Sequence, residues 1–235
     1  MTTIEAQLQI VQARIAAAAR AARRDPAEVT LLAVSKTFGP QALAHACAAG
    51  QTAFGENYLQ EALPKIAALR PLRLQWHCIG PVQSNKTRAL AENFDWVQTL
   101  DRLKIAQRLS QQRPAHLSPL QVCIQVNVDG GAAKSGVPPQ DALALALQVA
   151  LLPNLRLRGV MSIPEPAPDF DAACAVFARV KAVFDALKAE GLALDTLSMG
   201  MSADLEAAIH AGSTLVRVGT AIFGTRGQRA AHDKR

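Results

Sequence analysis

The feature that most constrains this chain is its alternation. Short aliphatic or β-branched runs lie at 29–35, 52–55, 74–78, 96–99, 121–128, 155–163, 194–198 and 214–218. Between them lie Ala/Leu-rich stretches of helical period at 40–49, 59–69, 84–92, 102–112, 138–151, 169–190 and 203–211. Strands that alternate with helices pair in parallel, through right-handed crossovers. Eight such units in 235 residues predict an α/β fold, a single (β/α)8 barrel of the TIM type. An open doubly wound sheet is the rival, weakened because no GxGxxG follows the first run. Ahead of the first strand, Ile4, Leu8, Val11 and Ile15 share one helical face behind a capping box of Thr2 and Glu5. An extra N-terminal helix is therefore expected.

No linker divides the chain. Pro164, Pro166 and Pro168 mark one rigid loop after the sixth strand. The barrel is expected to occupy 1–228, followed by a basic, flexible tail at 229–235. Composition narrows the function. Half of the residues are hydrophobic and 19% are charged, which excludes long disorder. Aromatics make up only 4%, too few for the stacking platforms of a single-strand nucleic-acid binder. Lys+Arg exceed Asp+Glu by 25 to 19. The excess gathers towards the ends, at Arg20, Arg23 and Arg24 and at Arg226, Arg229, Lys234 and Arg235, with no interior basic stripe. Neither a nucleic-acid partner nor a membrane is expected, since no apolar run nears the roughly 18 residues of a span. The start lacks the order of a secretory signal, and a mitochondrial presequence is disfavoured by the near absence of a linker before the first strand. Cys47, Cys78, Cys123 and Cys174 have neither CxxC nor zinc spacing and are expected as free thiols in a reducing cytoplasm.

A barrel of this kind carries its chemistry at the C-terminal ends of its strands. The polar residues there are Lys36, Glu56, Asn57, His77, Asn127, Ser162, the run 198–202 and the run 217–220, with Lys134-Ser135-Gly136 in the loop after the fifth strand. Lys36 follows an apolar run. Desolvation there would lower its pKa and free an amine that attacks an aldehyde. The alternative is a lysine whose head reaches solvent or pairs with Glu56. Ser198, Gly200, Met201 and Ser202, with Gly219 and Thr220, follow the seventh and eighth strands, where such barrels often bind phosphate. Met201 and Ser202 would open the next helix with unpaired amides, and Ser202 also reads as an ordinary N-cap. Arg217 interrupts an apolar strand, either as a buried ion pair or facing a pyridine nitrogen that it would keep unprotonated. His77 is either a ring-lining residue or a satisfied core histidine. Together a lysine, a phosphate-type turn and an arginine at this spacing describe a pyridoxal 5′-phosphate (PLP) site.

The sequence also resembles the pyridoxal phosphate homeostasis protein family. The matching stretches are Ala33-Val34-Ser35-Lys36-Thr37, Phe54-Gly55-Glu56-Asn57-Tyr58, the run 76–86 from Trp76-His77 to Asn85-Lys86, Lys134-Ser135-Gly136, the run 197–202 and the run 216–224. The resemblance implies an alanine-racemase-type barrel with PLP held as a Schiff base on Lys36. Asn57 and His77 would line the ring. Ser202, with the backbone around Gly200, Met201, Gly219 and Thr220, would hold the phosphate, and Arg217 would face the pyridine nitrogen. It implies a role in intracellular vitamin B6 homeostasis, with indirect effects on amino-acid and keto-acid balance and with PLP-dependent apo-enzymes as acceptors. Some bacterial members carry a second lysine where this chain has Phe38, so that lysine's role does not carry over. Two rivals stand beside this reading. A PLP-dependent amino-acid racemase needs a second base on the opposite face of the substrate, and the chain's one tyrosine is Tyr58. A phosphosugar-binding barrel without cofactor would leave Lys36 unexplained. Monomer and homodimer are both compatible with the sequence.

Overall fold

The computed structural model describes residues 3–131 and 135–224. Thr2, Lys134, the last positions assigned to the barrel and the tail at 229–235 lie outside the described residues. Among the described residues eight parallel strands close into a barrel in sequential order, with β8 hydrogen-bonded back to β1. They are β1 (Thr30–Val34), β2 (Ala53–Glu56), β3 (Gln75–Cys78), β4 (Trp96–Leu100), β5 (Leu120–Gln125), β6 (Leu155–Met161), β7 (Thr196–Ser198) and β8 (Leu215–Val218). This is the (β/α)8 architecture that the alternation predicts. Several strands are shorter than expected. β5 ends at Gln125 because Asn127 turns the chain, its Oδ1 accepting from the amides of Asp129 and Gly130.

The intervening helices are α2 (Pro40–Ala48), α3 (Leu59–Ala68), α4 (Thr87–Asn93), α5 (Leu103–Gln112), α6 (Ala142–Ala150), α7 (Phe170–Ala189), α8 (Leu205–His210) and α9 (Thr220–Phe223). α4 and α6 start later than their apolar periods suggest, each behind a 3₁₀ turn, Ser84–Lys86 and Pro139–Asp141. The N-terminal helix is α1 (Ile4–Ala21), and its N-cap is Thr3, not the expected Thr2. Thr3 Oγ1 accepts from the Ala6 amide at 3.1 Å. Ile4, Leu8, Val11, Ile15 and Ala19 are buried. They pack α1 against α2, α8 and α9, so the helix is a member of the outer ring between the β8 and β1 units.

Alternation along the strands divides the packing. One face, with Ala33, Phe54, Val97, Val122, Leu197 and Val216, joins the helices in the main core. The other face fills the barrel. Leu32, Val34, Ala53, Ile79 and Leu215 form one inner cluster, and Trp96, Cys123 and Met161 another.

A buried ion pair sits between the barrel wall and α3. Lys65 Nζ donates to Glu56 Oε1 at 2.7 Å and to the Ser35 carbonyl at 2.9 Å, and Ser35 Oγ donates to the same Glu56 oxygen at 2.6 Å. Burial pushes the Glu56 carboxyl above its usual range, and the bonds from Lys65 and Ser35 oppose the shift. The pair ties the ends of β1 and β2 to one helix. Lys65→Met is expected to destabilise the protein by about 3–5 kcal/mol in urea unfolding, because it leaves a buried carboxylate uncompensated. Glu56→Gln added to Lys65→Met should recover much of that loss; no recovery would show that the cost lies elsewhere.

Candidate functional site

Lys36 lies two residues past the end of β1. Val34 belongs to an inner cluster and Ser35 bonds towards α3, so strand alternation returns Lys36 to the barrel mouth. Its side chain is exposed, which corrects the expectation of a desolvated lysine: the strand has ended before it. Pairing with Glu56 is also replaced, since that carboxylate faces Lys65. Thr37 takes a left-handed conformation at φ 70°, rare for a β-branched residue, and its amide donates to Glu61 Oε2 at 3.1 Å. Lys36 is thus flanked by two tethers to α3, one through Ser35 and one through Thr37. Phe38 stacks on Phe223 of α9 with ring centroids 5.0 Å apart.

The register pairing Val34 with Gly55 puts Asn57 beside Lys36 at the next inward position. Its backbone is packed so tightly that a Cβ on Gly80 would fall 2.1 Å from its carbonyl oxygen. Asn57 Oδ1 is buried and has no hydrogen-bond partner among the described residues. An unmet polar group at a barrel mouth fits a site that receives a polar ligand.

Below the mouth a chain of hydrogen bonds crosses the barrel. Arg217 Nη1 donates to the Ser198 carbonyl at 2.8 Å and to Ser198 Oγ at 2.7 Å, and Nη2 donates to the Ser162 carbonyl at 2.8 Å. Ser198 Oγ donates to Gln98 Oε1 at 2.7 Å, across the lumen from β7 to β4. Gln98 Nε2 lies 2.8 Å from His77 Nδ1, and His77 Nε2 lies 3.0 Å from Gln75 Oε1. The amide nitrogen of Gln98 can only donate, so His77 accepts at Nδ1 and carries its proton on Nε2. One face of the imidazole stacks on Trp96 at 4.9 Å and 8°. Of the two readings offered by the sequence, these contacts show the satisfied core histidine, placed in the layer below the mouth. Burial lowers its pKa to about 3. Burial also lowers Arg217 to about 10, with opposition from Asp204, so the guanidinium stays charged near neutral pH. Among the described residues Arg217 is satisfied by hydrogen bonds to two neighbouring strand ends and not by an ion pair.

The phosphate-type turns follow β7 and β8. Gly200 has φ 92°, and a Cβ there would lie 2.4 Å from the Ala208 Cβ, so no other residue fits without displacement. Gly219 lies against the end of β1, where a Cβ would be 3.1 Å from the Val34 carbonyl oxygen. Thr220 Oγ1 donates to Ser202 Oγ at 3.3 Å and joins the two loops. The expected helix opening at Met201 and Ser202 is corrected. α8 begins at Leu205 with Asp204 at the cap position, and Asp204 Oδ1 accepts from the Met201 amide at 2.6 Å. The carboxylate takes the bond that the sequence left open.

Gln75, Gln98, Lys65 and Asp204 escaped the reading of the sequence. Gln98 carried a signal, as one amide within the apolar strand 96–100. Cys78 and Cys123 are buried, and burial pushes both thiols up to about 12, so neither offers a thiolate near neutral pH. Among the described residues no helix is long and apolar enough to cross a membrane, and no cluster of His, Cys, Asp and Glu could hold a metal ion.

Comparison with known proteins places this geometry. The family model described as "Alanine racemase, N-terminal domain" matches residues 7–227. The chain is 61% identical over 226 residues to the pyridoxal phosphate homeostasis protein of Pseudomonas aeruginosa, covering 96% of this chain and 97% of that one. It is 51% identical over 229 residues to the protein of the same name from Escherichia coli, covering 96% and 98%. Among solved structures, PipY of Synechococcus elongatus with PLP bound superposes with a TM-score of 0.78 at 38% identity, covering 89% of this chain and 100% of PipY.

The buried imidazole makes a prediction about acid stability. His77 binds a proton more readily in the unfolded chain, near pH 6.5, than in the fold, near pH 3. Its contribution to stability is therefore intact above pH 6.5 and is lost as the pH falls towards 3. Between these limits the residue alone is expected to cost up to about 1.4 kcal/mol per pH unit. In urea titrations from pH 7 to pH 4, His77→Gln should show a slope shallower than wild type by one proton. Equal slopes would mean that the imidazole titrates normally in the fold.

Proposed function

Because this chain belongs to the pyridoxal phosphate homeostasis protein family, we propose that its barrel mouth holds pyridoxal 5′-phosphate, anchored covalently through Lys36. The observation that carries the reading is the convergence at one barrel mouth of an exposed amine and a glycine–hydroxyl turn on the rim with a charged buried arginine in the floor beneath. When bound, PLP supplies an electrophilic aldehyde that combines reversibly with amines. The residues of the chain bind and orient it. Asn57 and the His77 layer flank the ring. The Ser202 and Thr220 hydroxyls, with the backbone of Gly200, Met201 and Gly219, would hold the phosphate, beside the Met201 amide that Asp204 engages. Ser198 holds Arg217 in place from below.

The same groups favour keeping the cofactor over transforming substrates on it. Arg217 stays charged near neutral pH and cannot take up a further proton, so it would donate to a pyridine nitrogen and would leave a weaker electron sink than a carboxylate. His77 is neutral, buried and engaged at both nitrogens, which withholds it as a base. Tyr58 is 53% exposed beside Asn57 and is the sequence's only tyrosine. We assign the protein a role in intracellular vitamin B6 homeostasis in the cytoplasm, as monomer or homodimer, with PLP-dependent apo-enzymes as acceptors. Racemisation of amino acids is expected to be absent or trace.

Addition of PLP to the purified protein should give a yellow adduct that borohydride traps on Lys36 and that Lys36→Ala abolishes. Attachment scattered over surface lysines, or none, would contradict the site. Sustained interconversion of D- and L-amino acids that is lost in Lys36→Ala would establish the racemase reading in its place.

A further inference from the structure

We propose that Arg14 is a positioning residue for the phosphate turn, and that through it the N-terminal helix sets the preference for phosphorylated over unphosphorylated B6 aldehydes. This rests on the reading of Ser202, Gly219 and Thr220 as the phosphate-holding groups. Arg14 stands in the middle of α1, remote in sequence from every residue of the mouth. Its guanidinium nevertheless spans the β7 loop. Nη2 donates to the Ser202 carbonyl at 3.0 Å and to Glu206 Oε2 at 3.0 Å, and Nε donates to Glu206 Oε1 at 2.8 Å. One planar fork thus fixes the peptide after Ser202 and the first turn of α8 relative to each other. The same serine presents its hydroxyl to Thr220 at 3.3 Å.

The other end of α8 is held from the turn that follows the same helix. Arg24 Nη1 donates to the Ile209 carbonyl at 2.9 Å and to the Ser213 carbonyl at 2.8 Å. Arg14 of α1 and Arg24 just past its end therefore bracket α8, and α1 also packs on α9, where Thr220 begins. Both segments that meet the phosphate rest on one element. Lys36 and Asn57 do not: they are held by α3 and β3.

This separation gives Arg14 a selective consequence. Its ion pair with Glu206 is partly exposed, at 34% and 40%, and pairs of that kind contribute little to global stability. The pair is also close to neutral in charge, so it acts on an anion through geometry. A phosphate needs several donors at fixed directions, and a turn free to shift loses them together. The aldehyde end of the ligand is met by groups that Arg14 does not touch.

The test compares PLP with pyridoxal, which lacks the phosphate, by absorbance titration of wild type, Arg14→Leu and Glu206→Gln. Arg14→Leu is expected to weaken PLP binding on the order of tenfold, the lower end of what loss of a supporting contact around a bound group costs. Pyridoxal binding should be unchanged, which also reports that the site is folded. Glu206→Gln should shift PLP affinity in the same direction by less. Equal weakening of both aldehydes, or no weakening of either, would overturn the assignment. Wild type that binds the two aldehydes equally would refute the phosphate turn itself, and Arg14's role with it, while leaving the anchor at Lys36 intact.

Discussion

A charged guanidinium inside a barrel must be satisfied, and the site depends on how Arg217 meets that demand. A partly satisfied buried network costs more than an apolar core, so its members constrain one another. Arg217 bonds to Ser162 and Ser198, Ser198 to Gln98, Gln98 to His77, and His77 to Gln75. With Gln98 oriented as it is, every step has a donor facing an acceptor, and the His77 tautomer follows from that orientation. The chain runs through β8, β7, β4 and β3, so the inner faces of strands on opposite sides of the barrel are held in a common arrangement. Trp96 closes the layer beneath, with the Arg158 guanidinium 4.8 Å from its ring centroid and the His77 ring on it.

Above this floor the rim is fixed from outside, in two halves. α3 holds the amine side: Lys65 grips Ser35 and Glu56, Glu61 grips the Thr37 amide, and Lys36 projects between them. α1 and the turn after it hold the side proposed for the phosphate, through Arg14 and Arg24. Phe38 on Phe223 joins the two halves. The freedom left to the mouth lies in exposed side chains, Lys36 among them, and not in the strands that carry them.

The alternation of strand and helix was legible because period 2 and period 3.6 leave different apolar patterns, and repeated crossovers admit few topologies. Lys36, Asn57, the glycines at 200 and 219, and Arg217 were also legible, since each breaks the apolar pattern at a strand end. The misread positions are those where a distant side chain decides the local outcome. Ser202 looked like an N-cap, and Asp204 takes the cap position while its carboxylate turns back on the Met201 amide. Lys36 looked desolvated because β1 was read one residue too long, to Ser35, and Glu56 was offered to it because Lys65 was unplaced. Lys65 lies among the buried Ala62 and Ile66 of α3, a charge on an apolar face that could have raised the question of its partner. Nothing local announces Arg14, whose partners lie 188 and 192 residues away.

The most direct test is a pair of crystal structures, with and without PLP. Density should run continuously from Lys36 Nζ into the cofactor, with the phosphate between the turns at 200–202 and 219–220. Arg217 should keep its bonds to Ser162 and Ser198 in both structures. A cofactor seated elsewhere, or an Arg217 that leaves Ser198 to bind it, would contradict a site built on a pre-formed floor.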